Sequence, residues 1–270
     1  MKRGYGGKAA ASVLGVFLTL GTSTPFASGL QTDAAKVGPG VLRPLYPSSP
    51  DEAEVAVQAF LLDRTPVTNA QYLAFVRSNP RWQKGQVPRL FVDENYLALW
   101  ASPTKLGPRA APNAPVVHVS WFAAKAYCEA RGARLPTENE WELAAAASET
   151  QPDASRDPAF LARILAWYSR PTPERLPEVA QGRANYWGVQ DLHGLVWEWV
   201  LDFGNALVSG DSRESGDPDT MRFCGAGALS AKDREDYASF MRLAFRSSLQ
   251  PAYTTANLGF RCARSPGGVP

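Results

Sequence analysis

PVVHVSWFAAKAYCEARGARLPTENEWELAAAA (residues 115–147) reads as two consecutive helices with their boundaries spelled out. Ser120 is placed to accept from the first free backbone N–H groups of one helix, and Gly132 to end it in a left-handed turn. Thr137 and Glu140, three residues apart after Pro136, have the spacing of a reciprocal capping box. The second helix then presents Trp141 and Leu143 among alanines, which permit close packing.

Upstream, FLLDRTPVTNAQYLAFV (60–76) starts like an apolar strand. It gives way to another capping box, Thr68 with Gln71, and a helix from about residue 69 presenting Tyr72, Phe75 and Val76. The next forty residues hold Trp82, Phe91, Tyr96 and Trp100 among Pro and Gly, a long irregular stretch pinned by aromatics. Downstream, residues 148–184 are polar and Pro-interrupted around one helical piece near 158–169, and read as a surface excursion. GVQDLHGLVWEWVLDF (188–203) packs Trp197 and Trp199 around Glu198, with Gly194 allowing a tight turn before them. Residues 30–55 read as an irregular lead-in in which Val41, Leu42, Leu45 and Tyr46 are able to pack on the domain. There is no internal repeat, which excludes solenoids and propellers.

The chain has 270 residues, 45% of them hydrophobic, enough for one substantial core. Lys2, Arg3 and Lys8 precede an apolar run from Ala9 to Leu20, too short for a bilayer span of roughly 20 residues. Small residues follow at Ala27, Ser28 and Gly29. This is the pattern of a cleaved signal peptide over residues 1–29, with an uncleaved anchor as the alternative. The folded domain is then expected over 56–266, in the periplasm or secreted. Loss of the three leader cations takes the formal charge from +2 to −1. A nearly neutral chain without Lys/Arg runs offers no footprint for nucleic acid, and no later segment is apolar enough to span a membrane.

Export implies an oxidising compartment in which one pair of Cys128, Cys224 and Cys262 can form a lasting disulfide, leaving one thiol. These cysteines and the two histidines, His118 and His193, show no short ligand spacing, so a structural zinc site has no support. Both histidines sit in well-packed blocks without a neighbouring nucleophile, and packing roles are expected of them. GxSxG and phosphate-cradling glycine loops are absent, which removes hydrolase and nucleotide-binding readings.

Four blocks, FLLDRTPVTNAQYLAFV, PVVHVSWFAAKAYCEARGARLPTENEWELAAA, GVQDLHGLVWEW and LAFRSSLQPAYTTANLGFRCA, resemble the formylglycine-generating-enzyme, or sulfatase-modifying-factor, family in identity and order. The resemblance implies a single loop-rich α+β domain of the C-type-lectin-like kind. HGLVWEW and the segment from Phe223 to Ala263 further resemble NirV-type proteins, encoded beside copper nitrite reductases.

The same resemblance implies oxidation of a substrate cysteine with molecular oxygen at copper(I), held by two cysteines ahead of an arginine-rich strand. Soft thiolates suit copper(I). The matching segment, CGAGALSAKDREDYASFMRLAFR (224–246), places Ser230 near the first of those cysteines and, counting back from Arg242, Ala238 near the second. Cys224, Ser230 and Arg242 are the remaining catalytic candidates. Cys224 is open to two readings, a buried small hydrophobe or a thiol that binds copper, pairs with a partner or is oxidised. The charged run from Lys232 to Asp236 reads as a solvated loop or the lining of a polar cleft.

Cys128 and Cys262 match the family's disulfide. Family calcium sites imply Asn185 and Glu198 as oxygen ligands. Leu195, however, stands where an asparagine is expected, and the loop after Asn185 is shortened. Glu198 between two tryptophans needs either a cation or an arginine such as Arg246 or Arg261. Copper and calcium are thus the cofactors implied, each with part of its ligand set missing.

Two functional expectations follow. One is an accessory or maturation factor holding a periplasmic protein or peptide segment, linked to copper nitrite reductase. The alternative is a metal-dependent oxidase of altered mechanism. A third reading, carbohydrate binding, requires Trp197 and Trp199 to be exposed.

Overall fold

A computed structural model describes Met1 and residues 33–44, 54–203 and 234–267; side chains are described from Tyr237 onward in the last segment. Strands β1 (Ala34–Val37), β2 (Gly40–Leu42), β3 (Val55–Val57) and β4 (Phe60–Asp63) precede helix α1 (Asn69–Ser78). A short hairpin, β5 (Trp100–Ser102) and β6 (Lys105–Leu106), leads to helices α2 (Trp121–Ala130), α3 (Glu138–Ala145) and α4 (Pro158–Tyr168). Strand β7 (Trp197–Glu198), helix α5 (Arg234–Ser247) and strands β8 (Leu258–Gly259) and β9 (Ala263–Arg264) follow. With few helices and small sheets, the protein is an α+β fold.

The largest sheet has the order β1-β4-β9, antiparallel throughout, and joins the front of the domain to its last strand. Its β1 strand corrects the expectation of an irregular lead-in. Ala35 and Val37 alternate into the core and the β1 backbone pairs residue for residue with β4. β2 pairs with β3, so that Leu42 packs on the core while Val41 faces outward. Leu45 and Tyr46 lie outside the described residues.

The helix starts are those the sequence predicts. Thr68 with Gln71, and Thr137 with Glu140, form reciprocal capping boxes, and the Ser120 hydroxyl accepts from the Ala123 N–H. Gly132 adopts φ +63° just past α2, where a side chain would be strained. Tyr72, Phe75, Tyr127 and Phe260 cluster edge-to-face and stacked at the centre, with ring centroids 5.3–6.1 Å apart. Gly259 permits β8 to pass close to α2's approach: a Cβ there would lie 2.8 Å from the Val116 carbonyl oxygen.

Two expectations change. Residues 234–247 form a helix, which takes in the segment after Ala238 where the resemblance implies an arginine-rich strand. Helical spacing puts Ala238, Arg242 and Arg246 on one face, four residues apart each. The piece near 158–169 is helical, starting from an Asp157 cap and Pro158. It is no mere surface excursion, because Phe160, Leu161 and Ile164 are buried and α4 packs on α5. No helix among the described residues is long and apolar enough to cross a membrane.

Candidate functional site

Helix α5 carries Ala238, the residue that the resemblance sets near the second catalytic cysteine. Ala238 is 1% exposed and packs with Ala154, Phe160, Leu161 and Ile164. The methyl group is enclosed by apolar neighbours that α4 supplies. Ser230 and Cys224 lie outside the described residues, as does the rest of 204–233. Serine and alanine supply no thiolate, so the copper(I) centre implied by the resemblance does not fit these residues.

One turn along α5, the polar side of the site is closed by ion pairs. Arg242 grips the Glu142 carboxylate of α3 through Nε (2.9 Å) and Nη2 (2.7 Å). Its Nη1 donates to the Tyr168 hydroxyl at 3.1 Å. Arg246 Nη1 donates to Glu142 at 2.6 Å and to Glu138 at 2.8 Å, and its guanidinium sits 4.8 Å over the Trp141 ring. Two cations meet two carboxylates, and no charge is left over. Burial alone would raise the Glu142 pKa, but Arg242 and Arg246 outweigh it and hold the group at about 2. Burial raises Glu138, which Arg246 only partly offsets. Arg242 is thus a structural clamp, not a group aimed at a reacting atom. Glu138 and Glu142 were missed from sequence, although their i, i+4 spacing on α3 put both on one helix face.

Over this network lies an aromatic stack. Trp197 meets Phe245 at 4.5 Å, Tyr168 at 4.9 Å and Trp167 at 5.3 Å between ring centroids. Trp199 is fully buried and donates to the Val119 carbonyl at 2.9 Å. The exposed tryptophan pair required for carbohydrate binding is therefore not formed.

Both residues of the calcium reading are engaged by partners within the protein. Glu198 and Arg261 side chains are each 0% exposed and joined by two 2.8 Å bonds, Nε to Oε2 and Nη2 to Oε1. Trp141 Nε1 donates to the same Oε2 at 2.8 Å. A carboxylate surrounded by N–H donors is compensated already and lacks the oxygen neighbours that calcium needs. Arg261 is the partner and Arg246 is not. Asn185 spends its Oδ1 on the Trp187 and Val189 N–H groups at 3.1 and 3.0 Å, and its Nδ2 on the Ala144 carbonyl at 2.8 Å. It organises the shortened loop and ties it to α3. No three His, Cys, Asp or Glu side chains gather as a metal site among the described residues.

Cys128 and Cys262 form the expected disulfide, from α2 to the residue before β9. His118 adopts φ +56° and is lowered in pKa by burial. His193 packs edge-on against Trp141 and Phe160, with Nε2 2.9 Å from the Ala145 carbonyl, which fixes the proton on that nitrogen. Burial, then the Arg242 charge, lower its pKa from 6.5 to about 4.

The sign follows from that shift. Between pH 6.5 and 4 the unfolded chain binds a proton at this histidine and the folded protein does not, so stability falls with pH over that window. The full loss is roughly 3 kcal/mol. Glu142 adds its own loss only from 4.5 down to about 2, where its arginine-held carboxylate is protonated. His193→Gln keeps a donor for Ala145 and is expected to flatten the melting temperature between pH 7 and 5. Parallel profiles for the two proteins would show that His193 is not the titrating group.

A cleft of about 440 Å³, open to solvent, lies between α4 and residues 182–194. Phe160, Ile164, Val189 and Leu192 contribute its apolar lining, with His193 alongside.

Comparison with known proteins agrees with this anatomy. A model of the sulfatase-modifying factor enzyme 1-like domain matches residues 26–266. The inactive C-alpha-formylglycine-generating enzyme 2 of Mus musculus is 30% identical, covering 79% of this chain and 78% of its own. A formylglycine-generating enzyme of Streptomyces coelicolor is 31% identical, covering 77% and 79%. In structure, the chain is similar to PvdO from Pseudomonas aeruginosa (TM-score 0.50, 18% identity, 87% of this chain and 95% of that one), a likeness of fold. With a model of the family's domain matching 241 residues, 26 to 266, and with the helix caps and the Cys128–Cys262 disulfide in place, the chain belongs to the sulfatase-modifying factor, or formylglycine-generating-enzyme, family.

Proposed function

We propose that this protein is a non-oxidising member of the family, an accessory or maturation factor that holds a segment of an exported protein in the periplasm. The observation that carries the reading is Ala238, enclosed by α4 and set by the resemblance near the second catalytic cysteine. Arg242 and Arg246 are spent on Glu138 and Glu142 beside it. A family scaffold kept intact around a filled site favours binding over chemistry. The word "inactive" in the name of the mouse relative points the same way. The leader-like residues 1–29 favour export, and the NirV-type likeness of the C-terminal segments favours a copper nitrite reductase as the client.

The test is an anaerobic copper(I) competition titration of the leaderless protein beside Cys224→Ala, with a cysteine peptide then offered under oxygen. The expected result is no tight copper(I) binding and no formylglycine. Tight binding that disappears in Cys224→Ala, or formylglycine in the product, would overturn this reading in favour of an oxidase with altered metal ligands.

A further inference from the structure

The cleft between α4 and residues 182–194 shares Phe160 and Ile164 with the packing around Ala238 and has a charge pattern of its own. Arg163 and Trp167 line it from α4, and Arg170 from two residues beyond the helix's end at Tyr168. Arg183 lines the cleft from the 182–194 loop.

The lining sets three arginines against two carboxylates, one of them offset by an arginine and the other hydrogen-bonded with its charge kept. Glu149 is paired with Arg163 at 3.1 and 3.2 Å, and Asp191 Oδ2 accepts from the Ala180 N–H at 2.6 Å. The Arg170 and Arg183 side chains make no hydrogen bond or ion pair among the described residues, although the Arg183 charge reaches Glu149. His193 is neutral near pH 7 and adds no charge. The result is a trough with an apolar bottom, a half-buried indole and two unspent guanidinium forks, which suit carboxylates.

We propose that this cleft binds an extended acidic peptide segment, with an apolar side chain set on Trp167 and Ile164 and flanking carboxylates on Arg170 and Arg183. The proposal rests on the reading of the protein as a holder of a client segment and names the chemistry of that segment. An open trough admits a chain that enters and leaves, as an enclosed pocket for a small metabolite would not.

The experiment is calorimetric titration of the leaderless protein with an acetylated peptide carrying two glutamates three residues apart around a leucine, and with its glutamine analogue. Binding of the glutamate peptide is expected, weakening with added salt. Arg170→Glu and Arg183→Glu are each expected to weaken it about tenfold or more, since a charge-assisted bond becomes a repulsion. Gly182→Trp should abolish binding by filling the trough. The backbone there tolerates a side chain, and an added Cβ meets only Asp191 Oδ1 at 3.9 Å.

No binding, equal binding of the glutamine analogue, unchanged affinity in all three variants, or displacement by an equal concentration of succinate would overturn the assignment. The copper and oxidation assays read the Ala238 region independently. Peptide binding together with positive oxidation would support the cleft and overturn the non-oxidising reading, whereas failure of the peptide alone would overturn only the cleft.

Discussion

Arg261→Ala is expected to destabilise the protein by about 3–5 kcal/mol, the range for removing one partner of a buried ion pair. The arginine does more than neutralise Glu198. Its Nη1 donates to the Asp63 and Arg64 carbonyls at 3.0 Å each, and its Nη2 to the Gln190 carbonyl at 2.9 Å. Removal strands a buried carboxylate and takes donors from three backbone carbonyls at the junction of β4 with the 182–194 loop. Glu198→Ala leaves the opposite orphan, a buried guanidinium, and is expected to cost a similar amount. The double variant should lose clearly less than the sum, because neither charge remains to be stranded. Urea denaturation of the three proteins checks this. Additive losses would mean that the two side chains do not act as a pair. Calcium supplies a second check: millimolar calcium should leave the wild-type midpoint unchanged, and a substantial rise would revive the metal reading of Glu198.

The second large effect is expected from the disulfide. Cys128 and Cys262 are 134 residues apart, so the bond closes most of the folded domain into one loop. In the chain-entropy model a loop of that length stabilises by about 5 kcal/mol, and residual structure in the unfolded chain lowers the observed figure. Cys262→Ala should therefore lower the denaturation midpoint strongly, and reduction of the wild type should reproduce the shift. Cys128→Ala must match Cys262→Ala, since either substitution opens the same loop. If reduced wild type and both variants denature where the oxidised protein does, the cross-link contributes nothing to stability. Both sulfurs are fully buried, so reduction has to be carried out in denaturant before refolding.

Much of the fold was legible because its signals are local. A capping box needs only Thr68 and Gln71, or Thr137 and Glu140, three residues apart, and all of these bonds form. The same holds for Ser120 and for Gly132, whose roles depend on neighbours within one turn. β1 was not legible, since Ala34–Val37 has weak strand character of its own and is ordered by pairing with β4 across more than twenty residues. α4 was seen as a helix but its destination was not, because Phe160, Leu161 and Ile164 say that a face is buried without saying under what. Its partner, α5, lies some seventy residues later, in a segment where the resemblance implies an arginine-rich strand.

What the sequence alone offered is a resemblance that sets Ser230 and Ala238 near the positions of the family's cysteines, and neither side chain carries a thiolate. It also determined the pairing need of Glu198, since a glutamate between two packed tryptophans must find a countercharge. Only the tertiary structure decided which arginine answers. Arg246 and Arg261 are chemically equal candidates. β8 runs beside β7 with Gly259 in register with Glu198, which brings Arg261, two residues on, to that carboxylate. The four-residue repeat of α5 takes Arg246 to Glu138 and Glu142. Ion pairing is set by distance, and distances between residues far apart in the chain are fixed by backbone pairing and helix docking, which no local run of residues encodes.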